Sequence, residues 1–208
     1  MEIVVRPAKK GDGAAILAIH RRAIHEIACA DYPQDILDAW GPPIPETDLA
    51  QKGSDFDKKV ERGEIVLVAE INASIAGFGE IIPAKCVLLA VYVSPDFKRH
   101  GVGRQILCEL ERVARDKAVP FLQMDASLTA ESFYLAHGYK TIGRGFHTLG
   151  NGASMACAKM RKDLGGVGVT SRGRVAKFRF GWTDKMVVIV LLVALALLSG
   201  LMRYVGLF

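Results

Sequence analysis

The stretch with chemical potential is Val87–Arg104, VLLAVYVSPDFKRHGVGR, in which an apolar run meets a basic, glycine-bearing loop. Ser94–Pro95 ends the apolar run, and the residues after Gly103 take up an amphipathic helical pattern. In physical terms this is an anion site. Backbone N–H groups at a helix N-terminus have no intrahelical partner and carry the positive end of the helix dipole. Gly101 and Gly103 remove the Cβ atoms that would hold a pyrophosphate away from that backbone. Lys98, Arg99, His100 and Arg104 add positive potential, and Val102 sits between the two glycines. The pattern is not the dinucleotide fingerprint, because Ile106 fills the third glycine position. It is not a P-loop either, because no Gly-Lys-Ser/Thr follows.

The elements around this loop follow from hydrophobic periodicity. Ile3–Val5 reads as a short strand, and Asp12 as the N-cap of a helix whose inner face is Ile16, Ile19, Ala23 and Ile27. PQDILDAW is a second short helix, and Phe56–Arg62 a third that stops at Gly63. Ile65–Glu70 and Ile75–Ile82 form a hairpin through Asn72–Ala73, and Cys86–Val93 is the next strand. After the loop, Ile106, Leu107, Leu110, Val113 and Ala114 share one helix face. Phe121–Asp125 is a buried strand, Ala130–Ala136 a short helix, and Tyr139–Ile142 and Ser154–Met160 two final strands. Strands gathered around strand–helix units predict a mixed α/β domain over residues 1–163.

The chain has 208 residues, 50% hydrophobic and 24% charged, and its net charge of +5 is unevenly placed. Residues 1–160 hold 19 basic and 20 acidic residues, whereas 161–185 hold seven basic against two acidic. The basic excess therefore precedes the apolar run Met186–Met202, and the domain itself offers no nucleic-acid-binding face. That run is 17 residues without a charge, about 25 Å as a helix. With interfacial ends it is long enough for a single membrane span over 185–205, with 164–184 as a basic juxtamembrane linker that favours anionic lipid. The basic flank is expected to keep the domain in the cytoplasm at the inner membrane, with the C-terminus outside. The N-terminus carries no secretory pattern. Cys29, Cys86, Cys108 and Cys157 have no metal or redox spacing and read as small buried hydrophobes.

The loop resembles the acyl-CoA segment of the GNAT superfamily of N-acetyltransferases, Gln/Arg-x-x-Gly-x-Gly/Ala, here Lys98-Arg99-His100-Gly101-Val102-Gly103. A second block, Ala130-Glu131-Ser132-Phe133-Tyr134 followed by His137-Gly138-Tyr139, is similar to the family's A-x-x-F-Y-x-x-x-G-F. The resemblance spans about residues 3–163 and implies the acyl-CoA N-acyltransferase fold. It implies a sheet splayed between its fourth and fifth strands, with the pantetheine arm of acetyl-CoA on the edge Val91, Tyr92 and Val93. The pyrophosphate would sit on Arg99–Arg104. It implies direct attack of an amine on the thioester, with Tyr134 as general acid for the departing thiolate; the alternative for Tyr134 is a packed core phenol. Glu80 stands where relatives often carry an acid and is a candidate base, or else a solvated strand residue. Asp125 is a second candidate base or a turn cap, and His20, His25 and Asp31 lie in the helical region that covers the acceptor.

Two functions follow. One is a membrane-anchored N-acetyltransferase acting on a small-molecule or protein amine, with no metal. The other is an acetyltransferase-like accessory subunit of an integral membrane complex, docked by its C-terminal helix.

Overall fold

The structure is a computed structural model that describes residues 2–45, 48, 51–53, 59 and 64–165. The apolar run, its basic linker beyond Gly165 and, apart from Lys59, the helix expected over Phe56–Arg62 lie outside the described residues; Leu164, expected to open the linker, is buried in the domain core. Among the described residues, no helix is long and apolar enough to cross a membrane.

Seven strands form one mixed sheet: β1 (Val4–Pro7), β2 (Ile65–Ile71), β3 (Ser74–Ile82), β4 (Val87–Val93), β5 (Phe121–Ser127), β6 (Lys140–Thr148) and β7 (Ser154–Asp163). Their order is β1-β2-β3-β4-β5-β7-β6. Every neighbouring pair is antiparallel except β4 and β5. The helices packed on this sheet among the described residues include α1 (Gly13–Ile27), α2 (Gln34–Trp40), α3 (Val102–Asp116) and α4 (Leu128–Ala136).

Strand alternation splits the apolar residues between two faces. Leu67, Ala69 and Ile71 join Ile106, Leu107, Leu110, Tyr134 and Met160 in the core beneath α3 and α4. Val66, Val68 and Phe78 meet Ile16 and Ile19 of α1 on the opposite face. Burying Ile106, Leu107 and Leu110, each at most 1% exposed, contributes about 1.5–3 kcal/mol per side chain. The depth of α3 depends on Gly77 and Gly79. A Cβ at Gly79 would lie 2.5 Å from Ile106 Cγ2 and 2.7 Å from Leu110 Cδ1, so only glycine admits the helix this close.

Four expectations change. Asp12 stands at the α1 N-terminus but makes no side-chain cap; its carboxylate takes Arg6 at 2.7 Å and the Lys9 N–H at 2.8 Å. Ser127, not Asp125, caps the turn after β5, accepting from the Ala130 N–H at 3.3 Å. The strand expected to end at Ile142 runs on to Thr148. Pairing of Gly143 and Gly145 with Lys159 and Cys157 of β7 carries the strand past an irregularity at Ile142. Of the cysteines only Cys157 is buried, because Cys29 and Cys108 fall on outward helix or turn positions.

Candidate active site

The site begins with a failure of two parallel strands to stay together. β4 and β5 share one registered pair, Val87 with Gln123, and the Gln123 N–H reaches Cys86 O at 3.0 Å. Beyond that point a cavity of about 100 Å³ opens between them. On the other side of β4 the ladder with β3 runs in register from Gly77–Val93 to Glu80–Ala90, and the Ser94 N–H bonds Ala76 O at 2.8 Å. Antiparallel alternation then makes Phe78–Tyr92 and Glu80–Ala90 the hydrogen-bonded pairs. It directs the N–H and C=O groups of Val91 and Val93 away from β3, toward the opening. A further irregularity, where Glu80 faces Ala90 but Ile81 faces Leu88, leaves Leu89 as an extra, half-exposed residue at the lip.

β4 delivers the chain to the basic loop. A short turn over Pro95–Phe97 is tied to α1 by Arg22, whose guanidinium reaches both oxygens of Asp96 at 2.6 and 3.0 Å. Arg99 and Gly101 both adopt positive φ, +64° and +82°, and α3 starts at Val102 with no side-chain cap. The leading amides of α3 are thus left for an external acceptor, with exposed Lys98, Arg99, His100 and Arg104 around them. The two glycines differ in kind. Gly101 is required by its backbone, and a Cβ there would meet nothing within 4 Å. Gly103 is under no such demand: its Cβ would make ordinary contact with Val93 and Phe133 at 3.4–3.5 Å.

Tyr134 lies at the wall of the cavity. It is also packed, 5% exposed, with its ring edge-on to Phe133 at 5.1 Å and Tyr139 at 5.5 Å. Burial pushes its phenol well above the ordinary tyrosine value. Val91 and Tyr92 line the same space. Tyr92 stacks on Phe78 at 5.3 Å and meets His20 edge-on at 4.7 Å. Burial also raises its phenol, and a hydrogen bond with Trp40 opposes this.

Glu80 is not on the cavity wall. It lies on β3, 2% exposed, and both of its oxygens are held by Lys59 Nζ at 2.7 and 2.9 Å. Burial, then the neighbouring Glu64 carboxylate, pushes its carboxyl up to about 7 against the pull of Lys59. His20 is driven down to about 4 by burial and by the charge of Lys59, so it is neutral. His25 spends Nε2 on Gly41 O at 2.8 Å, and Asp31 accepts from Thr129 Oγ1 at 2.6 Å. Asp125 does face the cavity, paired with Lys159 Nζ at 2.9 Å and His147 Nδ1 at 3.2 Å. Those hydrogen bonds, that of His147 foremost, hold its carboxyl below the usual range despite partial burial. Among the described residues there is no cluster suited to a metal ion.

Among the wall residues that sequence reasoning missed are Trp40, Met155 and His147. Trp40 ends a short helix, and His147 lies beyond Ile142, where the strand was expected to end. Only the alternation from Arg144 to Thr148 hinted that His147 faces the same side as Gly143 and Gly145.

Residues 46–164 match the family of the acetyltransferase (GNAT) domain. The chain is 30% identical over 140 residues to the uncharacterized N-acetyltransferase YafP of Escherichia coli, covering 67% of this chain and 83% of that one. Among solved structures it is similar to a GCN5-related N-acetyltransferase from Rhodopseudomonas palustris, with TM-score 0.68 and 26% identity over 78% of this chain and 96% of that one. It also shares its fold with a GNAT superfamily phosphinothricin acetyltransferase from Sinorhizobium meliloti, in complex with acetyl-CoA. There the TM-score is 0.61 and the identity 19%, over 86% of this chain and 96% of that one.

Proposed function

The chain belongs to the GNAT family of acetyltransferases, and on that premise we propose that it is an acetyl-CoA-dependent N-acetyltransferase held at the membrane by residues 185–205. The observation that carries the reading is the single pairing of β4 with β5, which opens a cavity along the β4 edge, with the uncapped start of α3 following that strand in the chain. Pantetheine amides pair with the edge groups of Val91 and Val93, and the acetyl group reaches the cavity. The pyrophosphate meets the amides of Gly101–Arg104, with Lys98, Arg99 and His100 around it. Burial of an anion there is favourable because the amides already point at it and lose no water-facing freedom on binding.

In the reaction, a neutral amine attacks the thioester carbon and forms a tetrahedral intermediate. The C–S bond then breaks, and the sulfur takes a proton from the Tyr134 hydroxyl; the phenolate recovers it from the nitrogen through water. A phenol kept protonated by burial is a competent donor to a thiolate. Glu80 on β3, engaged by Lys59, acts on the site through its charge, which helps keep the Tyr92 phenol protonated.

Calorimetric titration of acetyl-CoA into the full chain tests the reading. Saturable binding that releases CoA thiol in the presence of primary amines supports it, whereas absence of binding rejects it. Binding without transfer to any amine fits the accessory-subunit alternative.

A further inference from the structure

One pair of polar residues on the cavity wall lies away from both the Val91–Val93 edge and the basic loop. Asp125 on β5 and His147 on β6 meet across the intervening β7, with Nδ1 and Oδ2 3.2 Å apart. Lys159 Nζ holds the other carboxylate oxygen at 2.9 Å, so Asp125 is fixed from two sides. Both residues share the cavity with Tyr134, beside Trp40 and Met155. That is the side of the sheet opposite α3, where an acceptor can approach the acetyl carbon without crossing the nucleotide.

We propose that His147, oriented by Asp125, is the catalytic base that takes a proton from the incoming ammonium group. A carboxylate only accepts hydrogen bonds, so the Nδ1 that faces it carries the hydrogen and Nε2 keeps its lone pair. The ammonium N–H bond breaks and its proton moves to Nε2; the freed nitrogen pair then forms the bond to the thioester carbon. The imidazolium passes its proton to solvent through the half-exposed side of the ring, whose side chain is 49% accessible. Net, one proton leaves as the amide and CoA thiol form. Asp125 is a positioning residue: it sets the tautomer and stabilises the imidazolium. The titratable and charged groups facing the ring are Asp125 from β5, and Lys159 with buried Cys157 from β7. Glu80 cannot compete from behind β4, where Lys59 engages both its oxygens.

The wall also narrows the acceptor. Asp125 is neutralised by Lys159, and Trp40, Tyr92, Met155 and Leu89 supply apolar surface. A monoamine with an apolar body suits this wall better than a polycation, which needs uncompensated carboxylates.

This inference rests on the acetyltransferase reading and deepens it, so its test uses the full chain with acetyl-CoA and phenethylamine as probes. CoA thiol release is followed against pH, and acetyl-CoA binding is measured separately. His147→Ala should lower kcat by about 100-fold near pH 7, with acetyl-CoA affinity unchanged. The deficit should shrink toward alkaline pH, where the amine loses its proton unaided, and added imidazole should restore part of the rate. Asp125→Asn should lower kcat in the same direction without changing acetyl-CoA affinity. A His147→Ala enzyme with the wild-type rate, or with a deficit that neither pH nor imidazole relieves, overturns the proposal. So does wild-type protein that binds acetyl-CoA but leaves phenethylamine untouched. Failure to bind acetyl-CoA at all instead overturns the acetyltransferase reading beneath it.

Discussion

The Tyr32 hydroxyl accepts a hydrogen bond from the Leu128 backbone N–H at 2.8 Å, 96 residues away in the chain. The same hydroxyl donates to Ala156 O at 2.7 Å. One phenol thus fastens the segment between α1 and α2 to β7 and to the first residue of the helix that carries Tyr134. Tyr32→Phe leaves a part-buried amide and carbonyl without their partner, a loss of about 1–3 kcal/mol. At roughly 2–4 °C per kcal/mol for a domain of this size, the melting temperature should fall by several degrees. The rate should fall with it while acetyl-CoA affinity holds. A melting temperature equal to wild type would show that the clamp is not needed.

Arg104→Glu separates binding from folding. Arg104 is exposed in the first turn of α3, where an acidic side chain favours the helix dipole by about 0.3–1 kcal/mol. The same change puts a negative charge where the pyrophosphate is proposed to sit. Stability should hold or rise, while acetyl-CoA affinity drops roughly tenfold, a loss of about 1.4 kcal/mol. Unchanged affinity would remove the loop from the binding site. Gly101 is a poorer probe, because its positive φ makes any replacement strain the start of α3 with or without ligand.

Tyr134→Phe should lower kcat by about 100-fold and leave the KM for acetyl-CoA nearly unchanged, since the hydroxyl matters in the transition state. Because burial raises the phenol above its ordinary 10.0, it stays protonated where an exposed tyrosine would begin to ionise. The wild-type rate should therefore show no loss from this group as pH rises to about 10. Full activity in the phenylalanine variant would leave Tyr134 as a packing residue.

Glu80 carries a signature in stability against pH. Its folded value of about 7 lies above the ordinary 4.5, so the folded state binds the proton more tightly than the unfolded chain does. Its contribution is thus fully present below pH 4.5 and is lost as pH rises through about 7. Glu80→Gln should remove that slope, so the melting temperature of the wild type relative to the variant should decline across this window. A flat difference would mean that Lys59 cancels the burial completely.

Membrane attachment is tested on the full chain. Four Val, one Ile and six Leu within Met186–Met202 favour the bilayer by about 0.3–0.6 kcal/mol each. Carbonate and high salt should leave the protein in the membrane fraction, and truncation after Lys162 should release it. Release of the intact chain by salt alone would make the basic linker the attachment and reject the span.

Much of the fold was legible because its signals are local. The period of α3, the hairpin around Asn72 and Ala73, and the glycine-bearing basic loop all appear where their residue types require them. β6 was cut short because glycine is a poor strand former on its own, and only pairing with β7 overrides that preference. Asp12 was misjudged for a related reason: Arg6 outcompeted the helix amides for its carboxylate.

By itself the sequence determined which loop carries the glycines and basic residues, which helix carries the tyrosine, and where a long apolar run lies. Each is a property of neighbouring residues and of backbone geometry within a few turns. Tertiary structure alone decided that β4 and β5 part after Val87, that Glu80 is locked to Lys59, and that Asp125 meets His147. Those outcomes depend on strand order and register, and on how deeply Gly77 and Gly79 let α3 settle. A one-residue change of register would send His147 to the opposite face of the sheet, so no reading of spacing along the chain contains the pairing.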